Sequence, residues 1–100
     1  MKYNKLVRDK IISIIQDSGE TPTFHVADES EYWAKLEEKL TEEAKEFFAD
    51  QNEEEMADIY EVLNAIIAHK GFDKNRIEEI RQKKLNERGG FKDKIILEVA

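Results

Sequence analysis

Residues 41–58 read TEEAKEFFADQNEEEMAD, and the fold turns on how they are read. The stretch holds two pairs of carboxylates, Glu43 with Glu46 and Glu55 with Asp58. Each pair is spaced i, i+3, which puts both side chains on one face of a helix. Between the pairs lies a polar break, Asp50-Gln51-Asn52, about whose Asp50–Gln51 bond Glu43 and Asp58 are equidistant, as are Glu46 and Glu55. If the chain turns back there as two antiparallel helices, the two pairs meet at matching heights. On a helical wheel both pairs flank apolar stripes, centred near Leu40 and near Leu63, with the same sense of rotation. Like flanks face each other in an antiparallel pair, so four acids are predicted to line one edge of a helical hairpin.

The helices on either side follow from periodicity. Trp33, Leu36, Leu40, Ala44 and Phe47 form the stripe of the first hairpin helix, which is capped at Asp28 or Ser30 and runs to about Ala49. Asp28 with Glu31 resembles a capping box, and Asn52 with Glu55 repeats that spacing at the start of the next helix. There Met56, Ile59, Leu63, Ile66 and Ile67 form the stripe, and Lys70-Gly71 is the stop. Before the hairpin, Leu6 to Gln16 reads as a helix carrying Leu6, Val7, Ile11, Ile14 and Ile15, ended by Gly19. After it, Asp73 caps a polar fourth helix with Ile77, Ile80 and Leu85, ending at Gly89-Gly90. Thr23–Val26 and Ile95–Leu97 each read as a short strand or only a connection. The expected architecture is all-α: a single domain over residues 1–100, a four-helix, mainly antiparallel bundle. Tyr32, Phe48, Tyr60 and Val62 find no cover in so small a core, so a homodimer or homotetramer is expected.

Composition narrows the function classes. The net charge of −7 is unevenly spread. Residues 28–61 carry 14 Asp/Glu against 3 Lys, residues 1–10 are net +3, and residues 70–94 are net +4. A nucleic-acid polymer would call for a dominant basic face, and none is present. No apolar run approaches the roughly 20 residues of a membrane span. The first ten residues lack the apolar core of a signal peptide, and there are no cysteines for disulfides or thiolate metal sites. A cytoplasmic protein is expected. An acidic centre with basic ends suits a site that binds a metal with its acids and an anion with its bases.

Four carboxylates at such density repel unless a cation lies among them. All-oxygen ligands on rigid helices, without Cys or a well-spaced His, favour Mg²⁺ or Mn²⁺ over Ca²⁺. Glu43, Glu46, Glu55 and Asp58 are therefore the candidate metal ligands. For any one acid a solvated helix face explains as much, and Glu55 is also a cap; it is the match in flank and height that favours a metal. Lys5, Arg8 and Lys10 at one end, with Lys83, Lys84 and Arg88 at the other, are candidates for a phosphate chain, the two arginines foremost because guanidinium grips phosphate bidentately. Trp33, Phe24 or Tyr3 offer a ring to a base, although the stripe position of Trp33 suits the core better. His25 and His69 lack metal spacing.

Glu42-Glu43-x-x-Glu46 followed by Glu55-x-x-Asp58 resembles the EExxE…ExxD signature of the all-α nucleoside triphosphate pyrophosphohydrolases. That superfamily includes MazG, the phosphoribosyl-ATP pyrophosphohydrolases and the dimeric dUTPases. Tyr3-Asn4-Lys5-Leu6-Val7-Arg8-Asp9-Lys10-Ile11 and Lys83-Lys84-x-x-x-Arg88-Gly89-Gly90-Phe91 resemble a compact MazG-like subgroup, so the likeness spans nearly the whole chain. Only eight residues separate Glu46 from Glu55, fewer than in most of the superfamily. The resemblance implies an Mg²⁺-dependent enzyme that hydrolyses a nucleotide between its α- and β-phosphates, releasing pyrophosphate, in nucleotide house-cleaning. It implies Glu42 or Glu46 as the base that takes a proton from water. Two other readings stand beside it: a non-catalytic helical oligomerisation or regulatory module, and a hydrolase of phosphoribosyl-ATP.

Overall fold

The structure is a computed structural model that describes residues 4–100. It is all-helical: α1 spans Ile11–Asp17, α2 Glu29–Asp50, α3 Glu53–Lys70 and α4 Lys74–Arg88. The caps lie where the sequence places them. Asp28 Oδ1 accepts from the Glu31 amide at 2.8 Å, and Asn52 Oδ1 from the Glu55 amide at 2.9 Å. Asp73 Oδ1 accepts from the Asn75 amide at 2.8 Å. Each bond satisfies an amide that the first helical turn leaves without an intrahelical partner. Gln51 takes a left-handed conformation (φ 49°) that turns α2 into α3, and Gly71 (φ 69°) ends α3. The left-handed region carries no Cβ penalty for glycine.

α2 and α3 form the packed antiparallel pair, whereas α1 and α4 touch the hairpin marginally or not at all. The buried apolar side chains among the described residues are Leu36, 1% exposed, and Val62, 8% exposed. Val62 thus finds cover within the chain, and the inner line of α3 centres on it rather than on the predicted Leu63, which is exposed. Phe48 and Tyr60 stay 70% and 65% exposed, as uncovered as the sequence predicts.

One expectation is corrected, and one left open is settled. The N-terminal helix begins at Ile11, not Leu6. Asn4 adopts φ 47°, and its carbonyl accepts from Lys35 Nζ at 3.0 Å, while Lys5 and Arg8 form ion pairs with the hairpin that hold residues 4–10 as an arm across it. No strand forms among the described residues: Thr23–Val26 and Ile95–Leu97 lie in irregular chain, with Val26, Ile95 and Ile96 highly exposed. A strand needs a neighbour to accept its ladder, and neither segment lies beside one.

The chain is open for its size. Its radius of gyration is 18.0 Å over extents of 57 × 31 × 24 Å, against about 13 Å for a compact 100-residue domain. Its accessible surface is 9115 Å², whereas a folded monomer of this mass exposes roughly 5,900 Å².

Candidate metal centre

The hairpin brings the acids together at its closed end. Glu43 lies one heptad after Leu36, a spacing that returns a helix residue to nearly the same face, and it is only 5% exposed. On α3, Glu55 and Asp58 precede Val62 by seven and four residues and are half-buried on the same inward line. Carboxylate oxygens of Glu43, Glu55 and Asp58 lie within 4.8 Å of one another, and those of Glu42, Glu43 and Glu46 form a second such set. Glu43 belongs to both. Two oxygens in this cluster, Glu43 Oε2 and Glu55 Oε2, are buried without a hydrogen-bond partner. A buried carboxylate oxygen left unpaired is costly, and it needs a proton, a donor or a cation.

The electrostatics record the crowding. The Glu43 charge pushes the Glu46 carboxyl above its ordinary value, with burial and Glu55 adding to the effect. Burial raises the Glu55 carboxyl, and the charges of Asp58, Asp50 and Glu43 raise it further. Glu42 runs the other way. Its burial opposes ionisation, but the Lys5 and Lys39 ammonium groups outweigh it and hold the carboxyl below the ordinary value.

Cations close the cluster from one side. Lys5 Nζ stands 3.0 Å from Glu42 Oε1, and Arg8 Nη2 donates to Asp58 Oδ1 at 2.7 Å. Lys39, which the sequence did not single out, bridges Glu42 at 3.6 Å and Glu43 at 3.2 Å. Its signal was available, because Lys39 and Glu43 are an i, i+4 pair. Lys10 stands exposed at the start of α1.

Other predicted residues are not gathered here. Lys83, Lys84 and Arg88 lie on α4, whose residues are all exposed, and Lys83 pairs at 3.9 Å with Glu87 of the same helix. Trp33 is at the open end of the hairpin, ten residues or about 15 Å along α2 from Glu43. Its ring stacks on His69 at 5.9 Å, with Lys70 Nζ 3.8 Å from its centroid. Both neighbours come from the last turn of α3, so Trp33 closes the hairpin rather than offering a free face beside the acids. His69 also approaches Glu29 at 3.3 Å, and His25 pairs with Glu31 at 2.9 Å. Phe24 is exposed, and Tyr3 lies outside the described residues.

Comparison with known proteins adds little to this geometry. No family model matches the chain, and no solved structure matches it. An uncharacterised protein of Mycolicibacterium smegmatis is 47% identical over 45 residues, a stretch covering 45% of this chain and 46% of the relative. The match therefore spans about half of either protein.

Proposed function

We propose that the closed end of the hairpin binds a divalent cation, Mg²⁺ or Mn²⁺, and hydrolyses a nucleoside triphosphate to the monophosphate and pyrophosphate, as a MazG-like enzyme. The observation that supports this most is the pair of buried, unpartnered oxygens on Glu43 and Glu55, one from each helix, within a group that also holds Asp58. Glu43, Glu55 and Asp58 would hold the ion, with Glu46 beside them. All four are hard oxygen donors on rigid helices, which suits a small ion that keeps part of its hydration. When bound, the ion supplies charge neutralisation of the triphosphate and a lowered pKa for its water.

The remaining chemistry falls to the chain's own groups. Arg8 and Lys5 already stand at the cluster, placed to receive the phosphate oxygens. Of the two candidate bases, Glu42 is held by Lys5 and Lys39, whereas Glu46 is exposed and, among the described residues, forms no ion pair. Glu46 is thus the better acceptor of a proton from water at the α-phosphorus. Nucleotide house-cleaning in a homodimer or homotetramer is the role that fits.

A purely structural module is favoured by the Lys5, Arg8 and Lys39 pairs, which neutralise part of the cluster without any ion. It leaves Glu43 Oε2 and Glu55 Oε2 unexplained. Incubating the protein with a nucleotide panel, phosphoribosyl-ATP included, in Mg²⁺ and assaying pyrophosphate decides between them. Release from at least one nucleotide, lost in Asp58→Asn, is the expected result. No release from any nucleotide would remove the enzymatic reading.

A further inference from the structure

We propose that residues 4–10 form a strap over the acid cluster, which a divalent cation bound there unfastens and whose Lys5 and Arg8 then pass to the phosphates of a nucleotide. The unfastening rests on the cation reading of the cluster, and the transfer to phosphate on the hydrolase reading. Residues 4–10 form no helix or strand, and α1 beyond them touches the hairpin marginally or not at all. Polar contacts tie the segment down instead. The Asn4 carbonyl accepts from Lys35 Nζ of α2 at 3.0 Å. Lys5 Nζ lies 3.0 Å from Glu42 of α2, and Arg8 spans the seam to Asp58 of α3 at 2.7 Å. The Lys5 and Arg8 side chains are 43% and 58% exposed, so each pair is weak and water competes for it.

Both ion pairs end on the cluster. Asp58 shares its set with Glu43 and Glu55, and Glu42 shares the other with Glu43 and Glu46. The cations of the strap leave that cluster incompletely satisfied, because Glu43 Oε2 and Glu55 Oε2 are buried without a partner. A divalent ion among these oxygens carries twice the charge of the Arg8 guanidinium and repels it from Asp58.

Lys5 is paired with the other set, and Lys39 links the two. Its Nζ is 3.2 Å from Glu43 Oε1 and 3.6 Å from Glu42 Oε1, and its side chain is only 19% exposed. A cation on Glu43 drives Lys39 onto Glu42, where it competes with Lys5. Arg8 is thus displaced directly and Lys5 through Lys39. The Lys35 anchor is spared. It lies eight residues before Glu43 on α2, about 12 Å along the helix, and its hydrogen bond to the Asn4 carbonyl uses no acid of the cluster. Asn4, left-handed at φ 47°, places a turn at that anchor. The loosened strap therefore stays tethered, with two cations at high local concentration beside the site. Phosphate oxygens offer them the charge-assisted hydrogen bonds that the acids gave up.

Trypsin reads the fasteners directly, because its specificity pocket must take the same Lys or Arg side chain that an ion pair holds. Cleavage of the full chain after Lys5 and Arg8 is followed by mass spectrometry. Cleavage within the exposed α4 is the reference for any effect of the ion on the protease. Saturating Mn²⁺, its binding checked by calorimetry, is expected to speed both cleavages about 2- to 30-fold, the equivalent of two exposed pairs at 0.2–1 kcal/mol each. Glu42→Gln/Asp58→Asn is expected to be cleaved at the raised rate in EDTA. In Lys39→Met, Mn²⁺ is expected to speed cleavage after Arg8 and not after Lys5. Tripolyphosphate added in excess Mn²⁺ is expected to slow both again in the native chain. Bound Mn²⁺ with unchanged cleavage, or Glu42→Gln/Asp58→Asn cleaved at the native rate, would overturn the strap. Equal speeding of the two sites in Lys39→Met would overturn the relay, and no slowing by tripolyphosphate would overturn the transfer to phosphate. A native chain that binds no Mn²⁺ would instead remove the cation reading, and the unfastening with it.

Discussion

Replacing Glu43 with Gln removes one negative charge from the centre of the cluster and puts an amide in its place. Without metal, the variant is expected to be more stable than the native protein. Like charges within the 4.8 Å that bounds each acid set repel by about 3.5 kcal/mol at the effective dielectric of ~20 that suits protein sites. Loss of the Lys39 pair, 3.2 Å from Glu43, takes back about 0.5–1 kcal/mol, and solvent relaxation takes back more. A net gain of about 1–2 kcal/mol corresponds to a rise in Tm of roughly 4–16 °C for a domain of this size. With Mn²⁺ the order reverses. The native chain at 100 times Kd gains about 2.7 kcal/mol, and the variant, short of a ligand, gains little. The assay is thermal unfolding followed by circular dichroism, with EDTA and with Mn²⁺. A variant that is less stable in EDTA and keeps the native Mn²⁺ shift would refute both the crowding and the ligand assignment.

Arg8→Gln removes a cation that competes with the metal for Asp58, so Mn²⁺ affinity by calorimetry is expected to rise about 1.5- to 5-fold, the equivalent of an exposed pair worth 0.2–1 kcal/mol; unchanged or weaker binding would show that Arg8 does not compete. The pH dependence follows from shifts of opposite sign. Glu46 and Glu55 are raised above the ordinary carboxylate value of 4.5 in the folded state, so they destabilise it where ionised, and that penalty is relieved as pH falls through their raised values. Glu42 is lowered, so its contribution is present above 4.5 and is lost as pH falls further. In EDTA, Tm is therefore expected to rise from pH 7 towards 5 and to fall below 4.5, and Glu46→Gln/Glu55→Gln is expected to flatten the rise; a monotonic fall from pH 7 would contradict the crowding. Asn52→Ala removes the α3 cap at the edge of the site and is expected to cost about 1 kcal/mol, seen in thermal unfolding, with weaker Mn²⁺ binding because Glu55 lies in the frayed turn.

Much of the hairpin was legible in the sequence because its signals are local. Capping needs only a side-chain acceptor and an amide two or three residues away, so Asp28, Asn52 and Asp73 could be read directly. The match in height of Glu43 with Asp58 follows from counting residues about a turn. The wheel erred by about one residue on α3, centring the stripe on Leu63 where Val62 is buried. It also set Glu43 on the flank of α2, although the heptad from Leu36 places it in the seam. The cause is breadth: α3 is apolar over so much of its surface that periodicity leaves its inward line loosely defined. The arm was misread for a different reason. Leu6, Val7 and Ile11 have helical spacing, but ion pairs from Lys5 and Arg8 to residues tens of positions away outweigh that weak local preference.

The sequence by itself determined α2, α3 and α4, their caps, the turn at Gln51 and the four acids that this turn sets at one height. These depend on interactions within a few residues along the chain. Only the tertiary structure decided which acid is buried, which oxygens lack a partner and which cations stand at the cluster. It also left α4 off the hairpin, taking Lys83, Lys84 and Arg88 with it and leaving Ile77 and Ile80 partly exposed. Burial, pairing and docking depend on how two helices rotate against each other and on what remains exposed once they have packed, and no spacing in a single helix encodes that.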